Sequence, residues 1–190
     1  MFTSKQILLA ISCASLLSLP LSAATIEGVA VAPQVTVSGK KLTLNGAGLR
    51  TVTLIVIPVK AYVAAFYTPS AQNSPQAVMA SPGPLQFQFT FLQGVSSNQV
   101  AQAWKAQFDT SVTETYAGFE KDRDAFIGFF GALKKQGVQK VEIEGDQTRA
   151  FEGNTLKGTI TGKDFQKAFL SLWFGAKPVQ ASLKKELLGN

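Results

Sequence analysis

Between Leu85 and Leu92 the chain alternates strictly, with Phe87, Phe89 and Phe91 on one side and Gln86, Gln88 and Thr90 on the other. Side chains along a strand point to opposite faces with a period of two. The segment therefore reads as a half-exposed β-strand carrying a wall of phenylalanine on one face. Such a wall must be covered, and the next residues supply a cover. Val100, Trp104, Phe108 and Val112 recur at i+4 behind Ser96 and Ser97, either of which can cap a helix. A second helix is expected over residues 115–135, with Phe119, Phe126, Phe129, Phe130 and Leu133 on a wide apolar face and Gly137 as its C-cap.

The remaining segments fit the same plan. Residues 26–68 read as sheet, with a hairpin where Gly39 follows Ser38 between Val35-Thr36-Val37 and Leu42-Thr43-Leu44. Residues 49–59 are β-branched and apolar on both faces towards the end, which predicts a strand covered on both sides. A proline-bearing loop over residues 69–84 holds a short helix at residues 75–80. Residues 138–143 and 148–151 form a hairpin around Gly145-Asp146, and residues 156–160 add a strand. Thr161-Gly162-Lys163-Asp164 has the form of a capping box opening a helix with Phe165, Phe169, Leu172 and Trp173, which stops at Gly175 before Pro178. A last short helix holds Leu183, Leu187 and Leu188. Strands, then helices, then more strands and helices make an α+β domain with an antiparallel sheet. The aromatic surplus reads either as packed core or, in part, as the wall of a ligand cavity. Close packing of protein interiors favours core.

Composition narrows the chemistry. The chain has no His, so a Ser-His-Asp triad, a Cys-His dyad, His-ligated zinc and imidazole acid/base catalysis are all excluded within it. Residues 1–24 read as a secretory signal: Lys5, an apolar run interrupted by Pro20, then Ser22-Ala23-Ala24 before a cut at Thr25 or one residue earlier. The expected location is the periplasm or outside the cell. The only Cys, Cys13, lies in that segment, which leaves residues 25–190 without thiol or disulfide. Without Lys5, 17 basic residues face 12 acidic ones, a surplus of about +5. It is spread over isolated pairs such as Lys134-Lys135, so nucleic acid is not an expected partner. A mild pull on anionic ligands or a peripheral membrane contact remains. No residue cluster suggests a metal or an organic cofactor.

The densest signal is Asn45-Gly46-Ala47-Gly48-Leu49-Arg50, followed by a second strand from Val59 through Tyr62 to Tyr67. The glycines allow a positive-φ turn or a bulge beside the sheet. They lack the Lys-Ser/Thr of a phosphate loop and the third Gly of a dinucleotide fingerprint. Arg50 enters a strongly apolar strand, where a guanidinium must snorkel, pair or face a cavity.

These segments resemble the chalcone isomerase family, in its bacterial exported, chalcone isomerase-like branch. Gly46-Ala47-Gly48-Leu49-Arg50 matches the family's Gly-Ala-Gly-x-Arg, and Tyr67 the Tyr of its following strand. A second block agrees in order: Gly158-Thr159-Ile160, Gly162, Asp164-Phe165, Leu172-Trp173-Phe174-Gly175 and Lys177-Pro178-Val179. The resemblance implies an open-faced β-sandwich, helices layered on a large antiparallel sheet. It implies that Arg50 stands where the plant enzymes polarise their substrate. Their water-orienting Thr falls at Tyr62, their cleft-helix Tyr near Ser96 and their late-helix Thr near Ser171. The cyclisation set is thus incomplete. Relatives of this fold that bind fatty acids place an Arg and a Tyr at the carboxylate, and Arg50 with Tyr62 resembles that pairing better. The resemblance therefore implies a non-catalytic binder of a fatty acid or similar small apolar anion, with Arg50, Tyr62, Ser96 and Ser171 as candidate ligand-binding residues. Two other readings stay open. One is an intramolecular lyase acting on a flavonoid-like substrate, with Arg50 as electrophile and Tyr62 positioning a water. The other is a structural envelope protein in which Arg50 is ion-paired and Tyr62 fills core.

Overall fold

The computed structural model describes residues 24–54 and 56–190. The expected signal segment and Cys13 lie outside the described residues, except for Ala24. A short hairpin of β1 (Ala24–Ile26) and β2 (Val29–Val31) precedes a seven-stranded antiparallel sheet. Its strands are β3 (Gln34–Val37), β4 (Lys40–Leu54), β5 (Ile57–Thr68), β6 (Leu85–Phe91), β7 (Val138–Glu144), β8 (Gln147–Glu152) and β9 (Thr155–Thr161). Every strand pairs with its neighbour in the chain. The helices α1 (Pro75–Ala80), α2 (Ser97–Ser111), α3 (Phe119–Gly128), α4 (Lys163–Phe174) and α5 (Ala181–Leu187) complete an α+β fold with a curled, open sheet.

One face of the sheet packs against the helices, and there the phenylalanine wall meets its cover. The Phe87 ring centroid lies 4.8 Å from that of Trp173 on α4, and Phe89 lies 5.2 Å from the same indole. Trp104 on α2 stacks on Phe130 at 5.8 Å and meets Phe126 of α3 edge-on at 5.2 Å. Rings at these separations add to the apolar area each removes from water. The aromatic surplus is core. On the other face, β1–β2 covers β3–β5 with Val29 and Val31 against Val37, Leu42, Val63 and Tyr67.

Several sequence expectations change at this level. Residues 49–59 are not one covered strand. The chain reverses between Leu54 and Ile57, so β4 and β5 form a hairpin whose tip leaves Val56 81% and Ile57 64% exposed. No Gly or Asn marks this reversal, which is why composition hides it. The polar face of β6 is more enclosed than its alternation predicts, with Gln86 and Thr90 both buried, because the sheet curls over them. The second helix is only α3. It ends at Phe129, and Leu133 instead bridges to Val95, so Gly137 caps no helix but closes a turn onto Lys134. Phe129 is claimed by tertiary packing, its ring lying where Gly158 offers no side chain. At α4 the N-cap is Gly162, without a side-chain cap, so the capping box of Thr161 and Asp164 does not form.

The Gly-Ala-Gly segment is strand, not turn. Neither Gly46 nor Gly48 has positive φ, although a bulge does sit at Asn45, between the Leu44 and Gly46 pairings. Their bare backbones make room for α5. A Cβ on Gly46 would lie 2.8 Å from the Leu187 carbonyl carbon, and one on Gly48 would strike the Glu186 side chain. Asn45 fastens the same approach, its Nδ2 donating to the Leu187 carbonyl at 2.8 Å.

Candidate ligand-binding site

Arg50 on β4 stands directly opposite Tyr62 on β5. The next pairing, Thr51 with Lys60, skips Ala61, which places a bulge at the two residues. Bulges re-aim side chains. Tyr62 joins the helix-side core, between Phe89 at 5.3 Å and Phe91 at 5.6 Å. Arg50 Nη1 donates to the Thr51 carbonyl at 2.7 Å and to Gln180 Oε1 at 3.3 Å. Among the described residues no carboxylate forms a salt bridge with it. Its charge is therefore hydrogen-bonded but not neutralised.

Gln180, the N-cap of α5, holds the strand at this point. Its Oε1 accepts from the Thr51 N–H at 3.0 Å, and its Nε2 donates to the Leu49 carbonyl at 3.0 Å. One amide thus ties three consecutive strand residues to α5 and fixes where the guanidinium projects.

The Tyr62 hydroxyl donates to Gln107 Oε1 on α2 at 3.3 Å. Burial pushes its pKa up to about 12, although the Arg50 charge and the nearby Trp173 and Arg50 donor groups oppose the rise. A phenol in that state is a donor throughout the neutral range and no base. The third group is the indole N–H of Trp173. It faces Tyr62, is fully buried, and has no hydrogen-bond partner among the described residues. An unpaired buried donor costs about 1–3 kcal/mol, so its presence here calls for an acceptor.

A cavity of about 30 Å³ opens beside these groups, lined by Tyr62, Phe89, Phe91, Val100, Ala103, Trp104 and Gln107. It holds roughly one water. All its walls except Tyr62 and the two Phe come from α2.

The other two candidates are placed elsewhere in the helix layer. Ser96 is exposed and caps α2: its Oγ accepts from the Gln99 N–H at 3.3 Å, while Gln99 Oε1 accepts from the Ser96 N–H at 2.9 Å. Ser171 is buried within α4, its Oγ donating to the Ala168 carbonyl at 2.7 Å. Neither hydroxyl shares a hydrogen bond with Arg50 or Tyr62 among the described residues. Sequence reasoning missed Gln107, Gln180 and the polar end of Trp173. Gln107 left a trace, since a glutamine seven residues after Val100 interrupts the apolar stripe of α2. Trp173 left none, because a buried indole reads the same whether or not its N–H is paired.

A seven-stranded antiparallel meander with helices on one face and an Arg–Tyr pair across the β4–β5 bulge defines an open-faced, chalcone-isomerase-like architecture. Residues 23–189 match the family described as chalcone isomerase-like, and the chain belongs to that family. Among solved structures it is similar to a fatty-acid binding protein from Arabidopsis thaliana, with a TM-score of 0.65 at 10% sequence identity, covering 85% of this chain and 92% of that one. At that identity the likeness is one of fold. No curated protein matches the chain.

Proposed function

We propose that the protein binds a fatty acid or a similar small apolar carboxylate without transforming it, and does so after export from the cytoplasm. The observation that carries this reading is the unpartnered Trp173 N–H beside Tyr62 and an Arg50 without a counter-charge. A carboxylate has two oxygens and about four lone pairs, enough to accept from the Trp173 N–H and the Arg50 guanidinium together, and from the Tyr62 hydroxyl in place of Gln107. The planar guanidinium suits it best. The Phe and Val walls next to the anchor then take methylenes at roughly 0.8 kcal/mol for each one buried. Tyr62, protonated up to strongly alkaline pH, holds the anion and has no proton-accepting role, which favours binding over isomerisation.

The test is a calorimetric titration with a long-chain fatty acid, alongside native mass spectrometry for a ligand retained from cells. Arg50→Ala is expected to weaken binding by about 1.5–3 kcal/mol, the range of a charge-assisted hydrogen bond. Arg50→Lys is expected to restore part of it. Trp173→Phe, which removes the indole N–H and leaves a smaller ring in the core, should also lower affinity, by about 1 kcal/mol. Fatty-acid affinity unchanged in Arg50→Ala, with several kcal/mol of stability lost, would mean that the arginine is structural.

A further inference from the structure

The β4–β5 hairpin runs past the rest of the sheet. β3 accompanies β4 only as far as Thr43, and β6 accompanies β5 only from Tyr62 onward. The pairs from Thr51–Lys60 to Leu54–Ile57 therefore stand as a two-stranded ribbon without a third strand, extending roughly 13 Å at the usual rise of a strand. An isolated hairpin is marginal in water. This one ends in Val56 and Ile57, the two most exposed large apolar side chains among the described residues, with Pro58 exposed beside them.

The surroundings of the ribbon are basic. Three other segments meet at its root. Residues 92–100 join it through the Leu92 N–H to the Ala61 carbonyl, and residues 131–138 through the Gln136 N–H to Phe91, the partner of Tyr62. Residues 175–182 reach it through Gln180. Together with residues 50–62, these segments contain Arg50, Lys60, Lys134, Lys135 and Lys177 and not one Asp or Glu. Lys134, Lys135 and Lys177 are exposed and form no salt bridge among the described residues. Glu27 pairs with Lys60 at 2.7 Å, Glu152 accepts from the Gly131 N–H and pairs with Lys157, and Glu186 is turned inward against Gly48, away from the exposed lysines.

We infer that this hairpin is a membrane-docking element, its apolar tip entering the interface of an anionic lipid bilayer while Lys134, Lys135 and Lys177 face the headgroups. An apolar tip and a basic collar are the two signals that together hold a peripheral protein to such a surface. The geometry has a consequence for the site, since Arg50 and Tyr62 are the last pair before the ribbon and would sit just above the lipid. The inference rests on the hairpin and the lysines and stands whether or not the protein binds a fatty acid.

Vesicle sedimentation tests it, with the protein as recovered from cells and vesicles of phosphatidylcholine containing 30% phosphatidylglycerol, against pure phosphatidylcholine. Binding to the anionic vesicles is expected, with loss as salt is raised. The Val56→Ser/Ile57→Ser variant should bind at least about tenfold more weakly, the factor that either one of the two lost apolar side chains supplies by itself. Lys134→Glu/Lys135→Glu should abolish the preference for anionic lipid. A thermal melt confirms that both variants are folded. An Ile57→Trp variant should gain fluorescence that brominated lipid quenches. Equal binding of the serine variant, or added indole fluorescence in Ile57→Trp that the bromine leaves untouched, overturns the inference. So does self-association without vesicles that the serine variant loses, because a second copy would then be the occupant.

Discussion

Substituting Ala at Gly46 and at Gly48 should give very different costs, although the two glycines share a strand, a face and a motif. At Gly46 the new methyl meets backbone: the Leu187 carbonyl carbon and oxygen are both 2.8 Å from the Cβ position, and the Glu186 carbonyl is nearer still. Backbone cannot rotate aside, so α5 must lift. That helix buries Leu183, Leu187 and Leu188 at 0%, 0% and 6% exposure. A lift that returns the equivalent of one leucine to water costs about 2–3 kcal/mol. Breaking the 2.8 Å hydrogen bond from Asn45 to the Leu187 carbonyl adds about 1 kcal/mol. Against this, replacing Gly by Ala restrains the unfolded chain by about 0.4–1 kcal/mol. The net expectation for Gly46→Ala is a loss of about 2–4 kcal/mol. At Gly48 the methyl meets chiefly the Glu186 carboxylate, whose Oε2 has no partner among the described residues and can rotate away, while the Glu186 Cβ at 2.9 Å asks for only a small shift of α5. Gly48→Ala should therefore cost about 1 kcal/mol or less, once the unfolded-state gain is included. Urea melts of both variants, with an unchanged m-value as the check on two-state behaviour, read the difference. Equal costs, or a larger one at Gly48, would refute the view that these glycines exist to let α5 approach. Because Gln180 begins α5 and orients Arg50, Gly46→Ala should also weaken carboxylate binding under conditions where it is folded.

Ser96→Ala removes the hydrogen bond that the Gln99 N–H donates to Oγ, keeps the one that the Ser96 N–H donates to Gln99, and should lower stability by about 1 kcal/mol while leaving fatty-acid affinity in place. A loss of affinity would instead bring Ser96 to the ligand. Tyr62 and Tyr67, both raised by burial to about 12, hold their protons in the folded state after the unfolded chain has lost them near pH 10. Their contribution is complete below pH 10 and is lost as the pH climbs towards 12, so alkaline melts should steepen there, and less so in Tyr62→Phe. Phenolate absorbance of Tyr62 should emerge only with unfolding.

Period and capping carried most of the secondary structure. The two-residue alternation of Phe87, Phe89 and Phe91, the i+4 spacing of Val100, Trp104 and Phe108, and Ser96 and Ser97 ahead of them are local properties, and each element they predicted is present. The order of these elements was enough for an α+β domain with an antiparallel sheet, because consecutive strands tend to pair with their neighbours. Arg50 and Tyr62 were visible in the linear pattern as a charge in an apolar strand and a tyrosine twelve residues later, and it was the family resemblance that paired them. What surrounds that pair depends on residues far apart in the chain. Gln180 lies 130 residues from Arg50, Gln107 lies 45 from Tyr62, and the empty valence of the Trp173 N–H exists only once α4 is seated against β6. The same holds where the reading failed. Residues 49–59 look like one strand because nothing local marks their reversal, and 115–135 look like one helix because the Phe spacing continues. In both, long-range packing chose the ends: β6 and β3 stop where the hairpin goes on, and Phe129 leaves the helix to lie against Gly158. Local sequence sets what each segment prefers to be. Which backbone polar groups and rings find partners is decided only when the whole core closes, since each partner is supplied by a different part of the chain.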